Sequence, residues 1–116
     1  MNKFAEISSN KNSTELVPHS IEAEQQLLGG ILNNNDLFYS LEDKIDPEHF
    51  YDPIHARIFD VISTRIKDGK LASAVTVNTF LTEDQGLKEL GGSAYLAQLM
   101  AGSVASSAIK DYSKLV

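Results

Sequence analysis

Residues 52–69 read DPIHARIFDVISTRIKDG, and this stretch decides the fold class. Asp52 suits a helix start, because its carboxylate accepts a hydrogen bond from an amide that has no partner within the helix. Pro53 follows at the first helical position, where the missing N–H would be idle in any case. Ile54, Ile58, Ile62 and Ile66 then recur every four residues, with Phe59 and Val61 widening the stripe. That period belongs to an amphipathic α-helix and not to the alternation of a strand. Gly69 is a natural stop. The stretch predicts a helix to about Lys67 with one buried face.

Working back towards the N-terminus, Ser20 is a second cap, with Glu22 and Glu24 in the first turn, where carboxylates suit the positive end of the helix dipole. Ile21, Leu27, Leu28, Ile31 and Leu32 give the apolar face of that helix. Gly29-Gly30 in its interior costs about 1 kcal/mol per glycine relative to Ala. Close packing of another helix explains the pair better than a hinge. Asn33-Asn34-Asn35 ends the helix. Asp36 can cap a short second one carrying Leu37, Phe38, Leu41 and Ile45, before Pro47 breaks the chain and Phe50-Tyr51 adds an aromatic anchor. Residues 1–17, rich in Asn, Ser and Lys with isolated Phe4 and Ile7, have no sustained period and read as a mobile tail.

Working forward, residues 71–75 read as a linker and Thr76 as the cap of a fourth helix, with Val75 and Phe80 placed as a hydrophobic staple across its start. Gly86 breaks the chain, and Leu87 and Leu90 make one apolar turn. Gly91-Gly92 is a tight connection. Ser93 caps a helix that buries Tyr95, Leu96, Leu99 and Met100. After a small, flexible segment from Ala101 to Ser107, a last helix begins near Ala108. It carries Ile109, Tyr112, Leu115 and Val116 and is still running where the sequence stops. A helix of two turns is marginal alone, so its continuation or its partner is expected elsewhere. That closing face is the candidate contact with a partner or a second copy. Period-2 alternation and hairpin signals are weak throughout. The expected fold is therefore all-α, a compact orthogonal bundle of about six short helices with the last one truncated.

Composition narrows the function. The 116 residues suffice for one domain, and 42 % apolar residues can supply a core. With no Cys there are no disulfides, thiolate nucleophiles or Cys-based zinc sites. The N-terminus lacks the apolar stretch of a signal peptide and no run is long enough to span a bilayer, so the expected location is cytoplasmic, away from membranes. The net charge is −6, from 16 acids and 10 bases. Its scattered bases do not resemble the basic face of a duplex-binding module. Only Arg65, Lys67 and Lys70 lie close together, and Asp68 among them marks a solvated helix end.

The signatures of chemistry are missing. Gly69-Lys70 is followed by Leu71 with no Gly five residues earlier, so it is not a phosphate-binding loop, and neither Gly-Gly pair has the spacing of a dinucleotide site. His19, His49 and His55 show no metal-ligand spacing. His55 stands three residues after Asp52, where a local hydrogen bond at the helix start explains it. Ser20 beside His19 and the acid pairs Glu22/Glu24 and Glu83/Asp84 have capping or solvation to account for them. No catalytic residue, cofactor site or metal site is expected in this chain.

Pro18-His19-Ser20-Ile21-Glu22-Ala23-Glu24-Gln25, followed by Leu28-Gly29 and Leu32, resembles the opening of the N-terminal domain of DnaB-type bacterial replicative DNA helicases. The similarity continues in order through Phe50-Tyr51, His55, Ile58-Phe59, Val75-Thr76, Gly91-Gly92, Tyr95-Leu96, Tyr112 and Val116, covering residues 18–116. Two departures are visible: Ser73 stands where the family pattern carries an acid before the Val-Thr pair, and Ala105-Ser106-Ser107-Ala108 replaces a segment with Pro and Asn. The resemblance implies a helical head over residues 18–105 and the start of a helical hairpin over 106–116. It implies an ATP- and Mg-dependent motor in a separate domain absent from these residues. It further implies dimers, hexamers in the full-length protein, a place in the collar of the helicase ring, contacts with primase and a helicase loader in DNA replication, and contact with DNA only through the full ring. The family's helicase activity would then not be carried by this chain alone. A helix-turn-helix-like DNA-binding module is the alternative, because short helices with Gly turns also suit it; the acidic balance opposes it.

Overall fold

A 13-residue helix with almost no exposed side organises the molecule. In this computed structural model, which describes residues 20–41, 43–103 and 106–116, it is α1 (Ile21–Asn33). Six further α-helices follow: α2 (Leu37–Leu41), α3 (Pro53–Lys67), α4 (Ala74–Phe80), α5 (Gln85–Leu90), α6 (Ser93–Ala101) and α7 (Ser106–Ser113), with a 3-10 turn at Pro47–His49. The all-helical fold is as expected, and among the described residues no strand occurs. The tail predicted for residues 1–17 lies outside the described residues, as does His19.

Ser20 caps α1, its hydroxyl accepting from the amide of Ala23 at 3.0 Å. Around the helix, Ala23, Glu24, Leu27, Leu28, Gly29, Gly30, Ile31 and Leu32 are all buried. A helix buried on nearly every side is a central one, and α1 packs against α2, α3, α6 and α7. Its two glycines are where neighbours come closest. A β-carbon on Gly29 would drive into the backbone carbonyl of Leu99 in α6. One on Gly30 would lie 2.7 Å from Cδ1 and 2.8 Å from Cγ1 of Ile109 in α7. The pair serves close packing, as the sequence suggested.

α3 forms as residues 52–69 predict. Asp52 accepts from the amide of Ile54 at 3.0 Å, and Ile54, Ile58, Phe59, Ile62 and Ile66 are buried. Phe59 meets Phe50 and Phe38 with ring centroids 5.1 and 6.0 Å apart, joining α2 and the 3-10 turn to the core. Asn35, at the end of α1, accepts from the amide of Ala72 and donates to its carbonyl, both at 2.9 Å. One side chain thereby ties the loop before α4 to the first helix.

Three helix starts differ from expectation. α4 is capped by Ser73, which accepts from the amide of Thr76; Thr76 answers from inside the helix by accepting from the amide of Ser73. The staple does not form, because Val75 is 75 % and Phe80 61 % exposed. Gly92 rather than Ser93 flanks α6. It and Gly91 have φ of 64° and 117°, a backbone form that L side chains rarely adopt. α7 begins at Ser106, ahead of the predicted Ala108. The bundle holds seven α-helices among the described residues rather than about six, because residues 85–90 make a helix of their own with Gly86 inside it. Among the described residues no helix is long and apolar enough to cross a membrane.

Candidate functional site

The four residues of the closing face part company in the structure. Ile109 is fully buried against Gly30. It belongs to the core of this chain and leaves no surface for a partner. Tyr112 and Val116 are half-buried, and Leu115 is 43 % exposed. Ala108, Asp111, Tyr112 and Leu115 line a shallow cleft of about 270 Å³ on the outer side of α7. What α7 offers outward is therefore an aromatic edge, one leucine and a carboxylate.

α7 is seated from beneath as well. Asn33, the last residue of α1, donates to the carbonyl of Met100 at 2.8 Å and to the hydroxyl of Ser103 at 2.5 Å. Gln26, two turns earlier, donates to the carbonyl of Gly102 at 2.7 Å. These bonds satisfy carbonyls at the end of α6, which a helix terminus leaves without intrahelical partners. The turn that delivers the chain into α7 is thus held by α1.

A second constellation escaped the sequence reading. His55 sits inside the molecule between Glu24 of α1, 2.8 Å from its Nδ1, and the Tyr95 hydroxyl of α6, 2.6 Å from its Nε2. Glu24 also accepts from the backbone amides of Tyr51 at 2.6 Å and Asp52 at 3.3 Å. Gln25 donates to the Tyr95 hydroxyl at 3.2 Å, and the His55 and Tyr95 rings lie within 9° of parallel. Burial pushes the Tyr95 phenol above its ordinary value; the Gln25 hydrogen bond pulls the other way, and the Asp52 and Glu24 charges add to the rise. Glu24, expected as a first-turn acid, is buried and pairs with three residues at the start of α3, Tyr51, Asp52 and His55. Its partners lie 27 to 31 residues along the chain, and the Tyr95 that His55 meets lies 40 beyond that, so no local spacing signals them. The arrangement braces α1, α3 and α6 together. A phenol held protonated is a hydrogen-bond donor and not a nucleophile.

Elsewhere several charged groups are held by local partners. Arg57 and Asp84 pair through two hydrogen bonds of 2.5 and 3.0 Å, and Asp84 also caps α5 by accepting from the amide of Leu87 at 3.1 Å. The Arg57 hydrogen bond holds the Asp84 carboxyl below the usual carboxylate range, against the opposing effect of burial. Arg65 donates to the carbonyl of Leu71 at 3.2 Å and lies 5.6 Å from the centre of the Phe80 ring. Asp46, Glu48 and His49 gather their ligand-type atoms within 4.8 Å on the surface. There the His49 Nδ1 accepts from the Asp46 amide at 2.8 Å, a bond that closes the 3-10 turn.

Comparison with known proteins adds the family. The profile described as "DnaB-like helicase N terminal domain" matches residues 16–116. The chain is 37 % identical over 92 % of its length to "Replicative DNA helicase DnaB" of Rickettsia prowazekii (strain Madrid E). It is 35 % identical over 98 % of its length to the protein of the same name from Pasteurella multocida (strain Pm70). It spans 22 % and 25 % of the lengths of these two relatives. The fold is similar to the crystal structure of the N-terminal domain of DnaB helicase from Mycobacterium tuberculosis, with a TM-score of 0.76 and 30 % identity, over 86 % of this chain and 72 % of that one.

Proposed function

This chain belongs to the family of DnaB-like helicase N-terminal domains, and from that premise we propose that it is the protein-interaction and oligomerisation domain of a replicative DNA helicase. Residues 18–105 act as the head and 106–116 as the first part of a helical hairpin. The domain joins copies of the helicase as dimers and, in the full-length protein, as a hexamer. It lines the collar of the ring and receives primase and the helicase loader in the cytoplasm. Hydrolysis of ATP with Mg, unwinding and the grip on DNA belong to a motor domain beyond these residues. The observation that carries the reading is the identity of 37 % with a replicative DNA helicase along nearly the whole chain.

The outer side of α7 supports a contact role. Tyr112 and Leu115 border a cleft there, while Ile109 anchors the helix from below. A tyrosine on the open side of a helix whose other side is fixed in the core is a usual anchor for the centre of a small interface. Sedimentation of the domain alone, and then with the C-terminal domain of a primase, tests the proposal. Self-association or a mixed complex is the expected result, and a monomer that stays alone in both runs overturns the binding role. A clean sample should neither hydrolyse ATP nor unwind a duplex.

A further inference from the structure

The hydrogen bonds around His55 have a direction, and the donors reveal it. Glu24 accepts from the amides of Tyr51 and Asp52, as an ionised carboxylate does. The His55 Nδ1, 2.8 Å away, is placed to donate to it. On the far side of the ring, Nε2 lies 2.6 Å from the Tyr95 hydroxyl, which already accepts from the Gln25 amide nitrogen. The phenol has one hydrogen, and the lone pair on Nε2 is the place for it. Gln25 thus donates to Tyr95, Tyr95 to His55 and His55 to Glu24, in a relay from the α1–α6 cleft into the core.

We propose that this relay is a proton-operated switch, in which a second proton on His55 reverses its outer arm and turns over the Gln25 amide beside the turn that leads into α7. With Nε2 protonated, the ring donates to the Tyr95 oxygen. The hydroxyl then points to its other partner, Gln25, whose amide nitrogen cannot accept. The amide must rotate to present its oxygen. Gln25 lines a cleft of about 160 Å³ with Gln26, Tyr95, Gln98, Leu99 and Gly102. Gln26 holds the Gly102 carbonyl at the end of α6. The amide that turns over therefore lies in the same cleft as the bond that holds the end of α6. The groups bonded to the ring are Glu24 from α1 and the Tyr95 phenol from α6, and Asp52, at the start of the same helix as His55, acts on that phenol.

The 116-residue chain, labelled with nitrogen-15, can be followed by long-range proton–nitrogen correlation from about pH 8 to about pH 5, the range in which imidazoles ordinarily titrate. At the upper end Nδ1 should bear the hydrogen and Nε2 none. As Nε2 gains its proton, the Gln25 side-chain amide and the Gly102 backbone amide should shift with the same midpoint. Tyr95→Phe should remove that midpoint from Gln25 while His55 still titrates. Should this variant not fold, Gln25→Ala, at the outer end of the relay, should remove it from Gly102. A hydrogen on Nε2 at the upper end overturns the switch. So does a Gln25 or Gly102 signal that ignores the titration of His55, or unfolding of the chain before His55 is protonated.

Discussion

Glu24 concentrates more of the interior's polar bonding than any residue type at a helix start would suggest. Its two oxygens serve the amides of Tyr51 and Asp52 and the ring of His55, all within 3.3 Å. Removing an acceptor from buried donors costs about 1–3 kcal/mol for each group left unsatisfied. Glu24→Ala should therefore lower stability by about 3 kcal/mol or more, read as a fall in the urea midpoint. A loss below about 1 kcal/mol would mean that water or a neighbour replaces the carboxylate. Little of this was legible beforehand. Glu22 and Glu24 look alike in sequence, both acids in a first turn, and only the approach of α3 and α6 makes one of them a core residue. For the same reason the local hydrogen bond expected of His55 is in fact a tertiary one. Ile109 was likewise read as surface, because the residue it packs on, Gly30, has no side chain to announce the contact.

Among the elements, α3 and α1 were legible because each carries a cap and a sustained apolar period. α4 and α6 were legible only in their existence. Ser73 and Thr76 are both capping types three residues apart, and the hydroxyl that reaches back depends on how the loop is held by Asn35. α5 escaped notice because Gly86 reads as a breaker. Asp84 caps that helix and pairs with Arg57, so its carboxyl titrates below the usual range. Such a lowered value stabilises the fold above the ordinary carboxylate range, and the contribution is lost as the pH falls through the lowered value. With Arg57 46 % exposed, solvent screening limits the pair to at most about 1 kcal/mol. Asp84→Asn should shift the urea midpoint modestly at pH 7, and the difference from the parent should shrink as the pH falls below the ordinary carboxylate range. A difference that does not change with pH would separate the capping role of Asp84 from its charge.

At the scale of the whole molecule, the outer side of α7 is the face proposed for association. Leu115 projects there, half clear of the bundle, while the helix beneath it is fixed by Ile109. Leu115→Asp should weaken self-association in sedimentation and leave the melting temperature of the monomer nearly unchanged, since surface changes away from the core stay within about 0.5 kcal/mol. A large drop in melting temperature would show that Leu115 is needed for the fold itself. The two glycines of α1 carry a consequence of their own. Gly30 and Ile109 draw on a single allotment of space, so neither position can change size without reference to the other. Gly30→Ala should cost about 1–3 kcal/mol by crowding, and Ile109→Val, which trims the nearest carbon, about 0.5–1.5 kcal/mol. Combined in one molecule they should cost about 1 kcal/mol less than their sum. α1 and α7 are in this sense a lock and its fitted key, cut together.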